Sequence, residues 1–120
     1  MKMNTKTVTL REVAHCRSGE KGNGANVAVI AYDMGDYEML RSQLTLEAVG
    51  GLYGPITRGS ITRYEVPSIG ALNFVLDGVL EGGRSRTIVF DESGKALSSL
   101  MLSLEIEVPA SYTERSRSPR

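Results

Sequence analysis

Residues 10–31 read LREVAHCRSGEKGNGANVAVIA. The two ends of this stretch obey different rules, and the contrast sets the fold class. The closing VAVIA (27–31) is apolar at every position, and three of its five residues are β-branched. Five residues is short for a helix, so the run is expected to be an interior strand covered on both faces. Before it, residues 15–26 (HCRSGEKGNGAN) hold the chain's one His, its one Cys, three Gly and two Asn. That composition is expected of a polar connection between two strands.

Working outward, TVTLR (7–11) places Val8 and Leu10 on one side of a short strand. On the C-terminal side, DMGD (33–36) is a turn. Asp36 is placed to cap a helix over 37–49, with Tyr37, Leu40, Leu44 and Ala48 on one face and Gly50-Gly51 as its stop. GSITRYEV (59–66) reads as a strand. Residues 69–80 read as a second helix with Ile69, Leu72, Leu76, Val79 and Leu80 inward. SRTIVF (85–90) is a strand and DESG (91–94) a hairpin-like turn. Leu100, Leu102, Leu104, Ile106 and Val108 alternate with polar or flexible residues, which predicts a final strand over 100–108 ended by Pro109.

The expected order is therefore β-β-α-β-α-β-β. It describes an α+β protein: a two-layer α/β sandwich with about five strands and two helices on one face. One domain is expected over residues 1–109, followed by a disordered polar tail over 110–120.

Composition narrows the function classes. The chain has 120 residues, 41% hydrophobic and 23% charged, with 14 basic and 14 acidic side chains. Arg58, Arg63, Arg84 and Arg86 are interspersed with acids, so there is no concentrated basic face for nucleic acid. No apolar run approaches a membrane span, and no signal-peptide pattern opens the chain. A single Cys fits a cytoplasmic, reducing setting.

The Gly-rich stretch is the first candidate site. Gly19, Gly22 and Gly24 permit a backbone nest, Arg17 and Lys21 add positive charge, and Ser18 and Asn26 add polar contacts. Such a set suits a carboxylate or a phosphate. Its spacing is neither the P-loop nor the dinucleotide fingerprint. His15 is the candidate general base, since imidazole titrates near neutrality. On a strand His15 and Cys16 point to opposite faces, so they make a poor catalytic pair, while Arg17 shares the His15 side. One His beside one Cys builds no metal site, and no cofactor is expected.

A second candidate is the stripe Gly70, Asn73, Asp77 and Glu81 on the expected helix, a surface for the Gly-rich loop or a partner. Arg63 is the third, as a cross-strand ion pair or a subunit contact.

Three stretches carry a resemblance: residues 10–31, TRYEVPSIGALNFVLDGVLEGG (62–83) and SRTIVFDESGKALSSLMLSLEI (85–106). Together they resemble the small ferredoxin-fold domain at the C-terminus of acyclic terpene utilisation protein A and its relatives. The shared pattern falls on His15, Arg17, Ser18, Gly19, Lys21, Gly22, Ala25 and Asn26, and on Gly70, Ala71, Leu72, Asn73 and Phe74. This chain departs from the usual SGDKGDTAN by reading SGEKGNGAN, with Asn23 and Gly24 in place of an acid and a hydroxyl.

The resemblance implies a ferredoxin-like fold, here free-standing. It also implies an accessory role beside a large AtuA-like subunit in small-acid or acyl-thioester metabolism, as a homo-oligomer or a hetero-complex. Two other readings stay open: an independent small enzyme using His15 as base, and a non-catalytic module that binds a small carboxylate or acyl-thioester.

Overall fold

A computed structural model of the chain describes residues 5–21, 24–53, 60–77 and 95–112. Its elements are β1 (Thr5–Thr9), β2 (Ala14–Lys21), β3 (Gly24–Ala31), α1 (Tyr37–Gln43), α2 (Leu46–Tyr53), β4 (Ile61–Val66), β5 (Ala71–Asp77), α3 (Lys95–Leu102) and β6 (Glu105–Pro109). Among the described residues, the run from β3 to β6 reads β-α-β-β-α-β, the element order of a ferredoxin-like fold, with the first helix split in two. The expected strand over 85–90 and the turn at 91–94 lie outside the described residues.

Four strands form an antiparallel sheet in the order β2-β3-β5-β4. β1 and β6 form a separate antiparallel ribbon. A turn of 3-10 helix at Leu10–Glu12 joins the two sheets, and the Leu10 amide donates to the Leu104 carbonyl at 2.7 Å. The α+β class is therefore as expected, built from six strands and three α-helices among the described residues.

Alternation in β3 divides the four-stranded sheet into two faces. Ala25, Val27, Val29 and Ala31 are buried, while Gly24, Asn26, Ala28 and Ile30 are half-buried. Leu72, Phe74 and Leu76 of β5 lie in register with Val29, Val27 and Ala25 and complete the inner face. Against it pack Leu40 and Leu44 around α1, Val49 and Tyr53 of α2, Leu97 and Met101 of α3, and Ile106 and Val108 of β6. The described helices thus cover one face, and none of them lies on the other.

Four expected elements differ from the structure. The polar connection expected over 15–26 is mostly strand, since β2 runs to Lys21 and β3 begins at Gly24. The helix predicted over 69–80 is instead a 3-10 turn at Pro67–Ile69 followed by β5, a central strand. Leu72, Phe74 and Leu76 keep strand parity, and pairing on both edges decides the outcome. The strand predicted over 100–108 is helical in its first part. Leu97 and Met101, four apart, turn inward on α3, and only Glu105–Pro109 is strand.

The helix predicted over 37–49 breaks at Leu44. Thr45 caps a new helix, its hydroxyl accepting from the Ala48 amide at 3.1 Å. That second helix runs through Gly50-Gly51 to Tyr53, whose buried hydroxyl donates to the Leu97 carbonyl at 2.5 Å. Gly70 is the one described glycine with positive φ, at 66°, where it turns the chain from the 3-10 turn into β5.

Two contacts tie the ribbon to the helices. The Gln43 amide donates to the Glu107 carbonyl and accepts from the Glu107 amide, both at 2.8 Å. The chain also continues past Pro109 to Tyr112, which packs against the core and donates its hydroxyl to Asp36 at 3.1 Å. The remaining tail positions, 113–120, lie outside the described residues.

Candidate functional site

The solvent side of the four-stranded sheet collects much of the polar pattern found in the sequence. Strand parity and register arrange it in rows across β2, β3, β5 and β4. One row reads Arg17–Ala28–Asn73–Tyr64, and the next reads Gly19–Asn26–Val75–Thr62. On the other side of Arg17 the row is His15–Ile30–Ala71–Val66. His15 and Arg17 share this face, as the alternation predicted. The His15 ring lies against Tyr32, with centroids 5.4 Å apart.

Asn26 is the hinge of the arrangement. Its Nδ2 donates to Oδ1 of Asn73 at 3.0 Å. On its other side it lies over Gly19, where an added Cβ would meet Asn26 Oδ1 at 3.1 Å. One side chain therefore spans three strands. A side chain at Gly19 would press on the Asn26 amide. This differs from the expected nest: Gly19 sits in an extended strand paired with Asn26, and its φ is not positive. The backbone amides of a strand alternate sideways and do not converge on one anion.

The other predicted site residues divide. Ser18 points to the inner face, where its hydroxyl accepts from Ser98 of α3 at 3.0 Å, so it is not on the surface shared by His15 and Arg17. Lys21 ends β2, paired with Gly24. Gly22 and Glu81 lie outside the described residues. Asn73 and Asp77 are on a strand rather than a helical stripe. Asp77 accepts from the Ser60 hydroxyl at 3.4 Å, at the end of the sheet.

Arg63 turns to the inner face and takes a structural position. Its Nη1 donates to the carbonyls of Arg41 at 2.8 Å and Leu44 at 2.9 Å, and its Nη2 pairs with Glu65 at 2.9 Å. It thus caps the C-terminal carbonyls of α1, where a cation also meets the negative end of the helix dipole. A pocket of about 440 Å³ opens beside it, lined by Arg41, Thr45, Leu46, Glu47, Arg63 and Glu65. Its cations already face Glu38 and Glu65, and it lies away from His15 and Arg17.

Cys16 faces inward, and burial pushes its thiol up to about 12. A thiol held protonated at neutral pH is a poor nucleophile. Among the described residues no group of three His, Cys, Asp or Glu side chains is placed to hold a metal ion. None of the described helices is long and apolar enough to cross a membrane.

The family model of the AtuA ferredoxin-like domain matches residues 8–107. The chain belongs to this family. No curated protein and no solved structure matches it. In this AtuA ferredoxin-like domain, the stretches that carried the resemblance are now seen to be neighbours. The Gly19–Asn26 pair comes from the first and Asn73 from the second, and they meet on the sheet face away from the described helices. Sequence reasoning set Asn73 toward the Gly-rich stretch but on a helix, and so missed that the contact is made between neighbouring strands. The signal was present in Leu72, Phe74 and Leu76, which alternate with Ala71, Asn73 and Val75.

Proposed function

We propose that the protein is an accessory module that another chain completes, acting beside a large AtuA-like subunit in small-acid or acyl-thioester metabolism. One observation carries this reading. His15, Arg17, Asn26 and Asn73 share a sheet face that none of the described helices covers. Catalysis of acyl chemistry needs preorganised donors in a site closed to water, and a flat exposed face supplies neither enclosure nor convergence. Cys16, the one thiol, is turned away and held protonated. The same face offers an arginine and a pair of amides to a carboxylate, so His15 and Arg17 are the residues through which the module acts once covered. A cytoplasmic, reducing setting belongs to this reading.

The test is co-expression with a large AtuA-like subunit from the same source, followed by affinity capture and an assay on branched acyl-thioesters. The complex should be retained through gel filtration, and the small chain alone should show no turnover. Turnover by the isolated chain that is lost in H15A would instead establish an independent enzyme.

A further inference from the structure

The open face has a property that its polar residues alone do not show: its rows are complementary to themselves. Arg17 stands on one edge strand and Tyr64 on the other, in the same row. With strands spaced by about 4.8 Å, the two lie about 14 Å apart within one sheet and cannot meet there. Arg17 is exposed and has no ion pair among the described residues. Tyr64 is 54% exposed. With Met34 (55%) and Ile69 (57%), at the end of the sheet where the chain turns into β5, it makes three of the four large exposed hydrophobic residues among the described residues. The cation and the exposed Tyr64 ring thus sit at opposite margins of one face.

We propose that this face pairs with the same face of a second copy of the chain, Arg17 of each stacking on Tyr64 of the other. The proposal rests on the reading that another chain covers the face, and it names that chain. A twofold axis parallel to the strands, between β3 and β5, carries β2 over the second copy's β4 and keeps every residue in its own row. That is the aligned arrangement in which sheets pack face to face, and the contact is isologous.

The axis sets Arg17 over Tyr64 twice, a guanidinium on an aromatic ring each time. It also sets Ala28 opposite Asn73 and Gly19 opposite Thr62, so small residues of one copy meet larger ones of the other. His15 and Arg17 of one protomer then share an enclosed site with Tyr64 and Val66 of the second.

Sedimentation velocity over a concentration series reads the result directly. The wild-type chain should dimerise. Tyr64→Arg places like charges together at two points and should raise the dimer Kd by more than about tenfold. Arg17→Glu should weaken the dimer as well. The double variant R17E/Y64R should restore it, since glutamate on one copy meets arginine on the other. Within one chain those positions are too far apart to rescue each other. Circular dichroism and thermal midpoints near wild type show that the variants fold.

A monomer at every concentration, or a dimer indifferent to Tyr64→Arg, overturns the proposal. Capture of a large subunit by a chain that stays monomeric overturns the pairing and leaves the accessory reading standing. A dimer that passes the rescue test yet captures no large subunit supports the pairing and counts against that reading.

Discussion

Asn26 and Asn73, 47 positions apart in the chain, join their side-chain amides at 3.0 Å across β3 and β5. The bond is half-buried, and it holds the Asn26 amide over Gly19. Asn26→Ala and Asn73→Ala should each cost about 1 kcal/mol. Because they remove the same bond, the double variant should cost less than the two added together. Urea unfolding of the four proteins measures the coupling. Full additivity would show that the two amides act separately.

Arg63 closes the end of α1. Arg63→Met keeps the apolar stem but strips two carbonyls and a carboxylate of their donor, and should destabilise the fold by about 2 kcal/mol. Arg63→Lys keeps the charge but not the planar fork that reaches two carbonyls together, so it should recover only part of the loss. Equal midpoints for the two variants would show that charge contributes nothing without the fork, and an Arg63→Lys midpoint at the wild-type value would show that charge alone suffices.

Gly70 tests the turn into β5. Gly70→Ala places a side chain at φ 66°, which costs about 1–2 kcal/mol, and its Cβ would lie 2.9 Å from Met34 Sδ. Met34→Ala in the same chain should relieve the second cost and leave the first. Thermal denaturation of the single and double variants separates them.

Tyr37 is buried, and its hydroxyl has no hydrogen-bond partner among the described residues. Removing an unsatisfied hydroxyl while keeping the ring should not weaken the fold. Tyr37→Phe is therefore expected to unfold at the same or a higher temperature. A clear drop in midpoint would reveal a partner for the hydroxyl.

Cys16 gives the fold an alkaline limit. Burial raises its thiol from 9.0 to about 12, so above pH 9 the unfolded chain releases a proton that the folded chain keeps. Stability is unaffected by this group below pH 9 and falls as pH rises from 9 toward 12. Tyr53, whose phenol burial also raises, adds a loss of the same sign above pH 10. Cys16→Ala should flatten the decline between pH 9 and 10.5, followed by urea titration. Below pH 9 the native thiol should resist alkylation until the protein unfolds.

The interior place of β3 was legible because every residue of VAVIA is apolar and β-branched residues dominate it, but the expected cover on both faces was not met by the described elements, which leave Ala28 and Ile30 half-buried. The His15 and Arg17 pairing on one side of β2 was legible too, since strand parity needs only the local sequence. β5 was not. Leu72 and Leu76 are four apart and satisfy a helix, while Leu72, Phe74 and Leu76 satisfy a strand. Only its neighbours β3 and β4 choose between them. The break at Thr45 was hidden differently. Leu44 and Ala48 continue the apolar face, and the capping hydroxyl sits between them. Arg63's position over α1 needed that break, so its capping role was beyond reach of the sequence pattern.

The Gln43 amide does for β6 what a third strand would do. It meets both polar groups of the Glu107 backbone on the side away from β1, and Pro109 at the end of the strand has no N–H to offer. A two-stranded ribbon with a bare rim is a template for further strands and for fibrous aggregation. Here the template is blocked at its midpoint by one side chain, so this rim is closed to runaway growth.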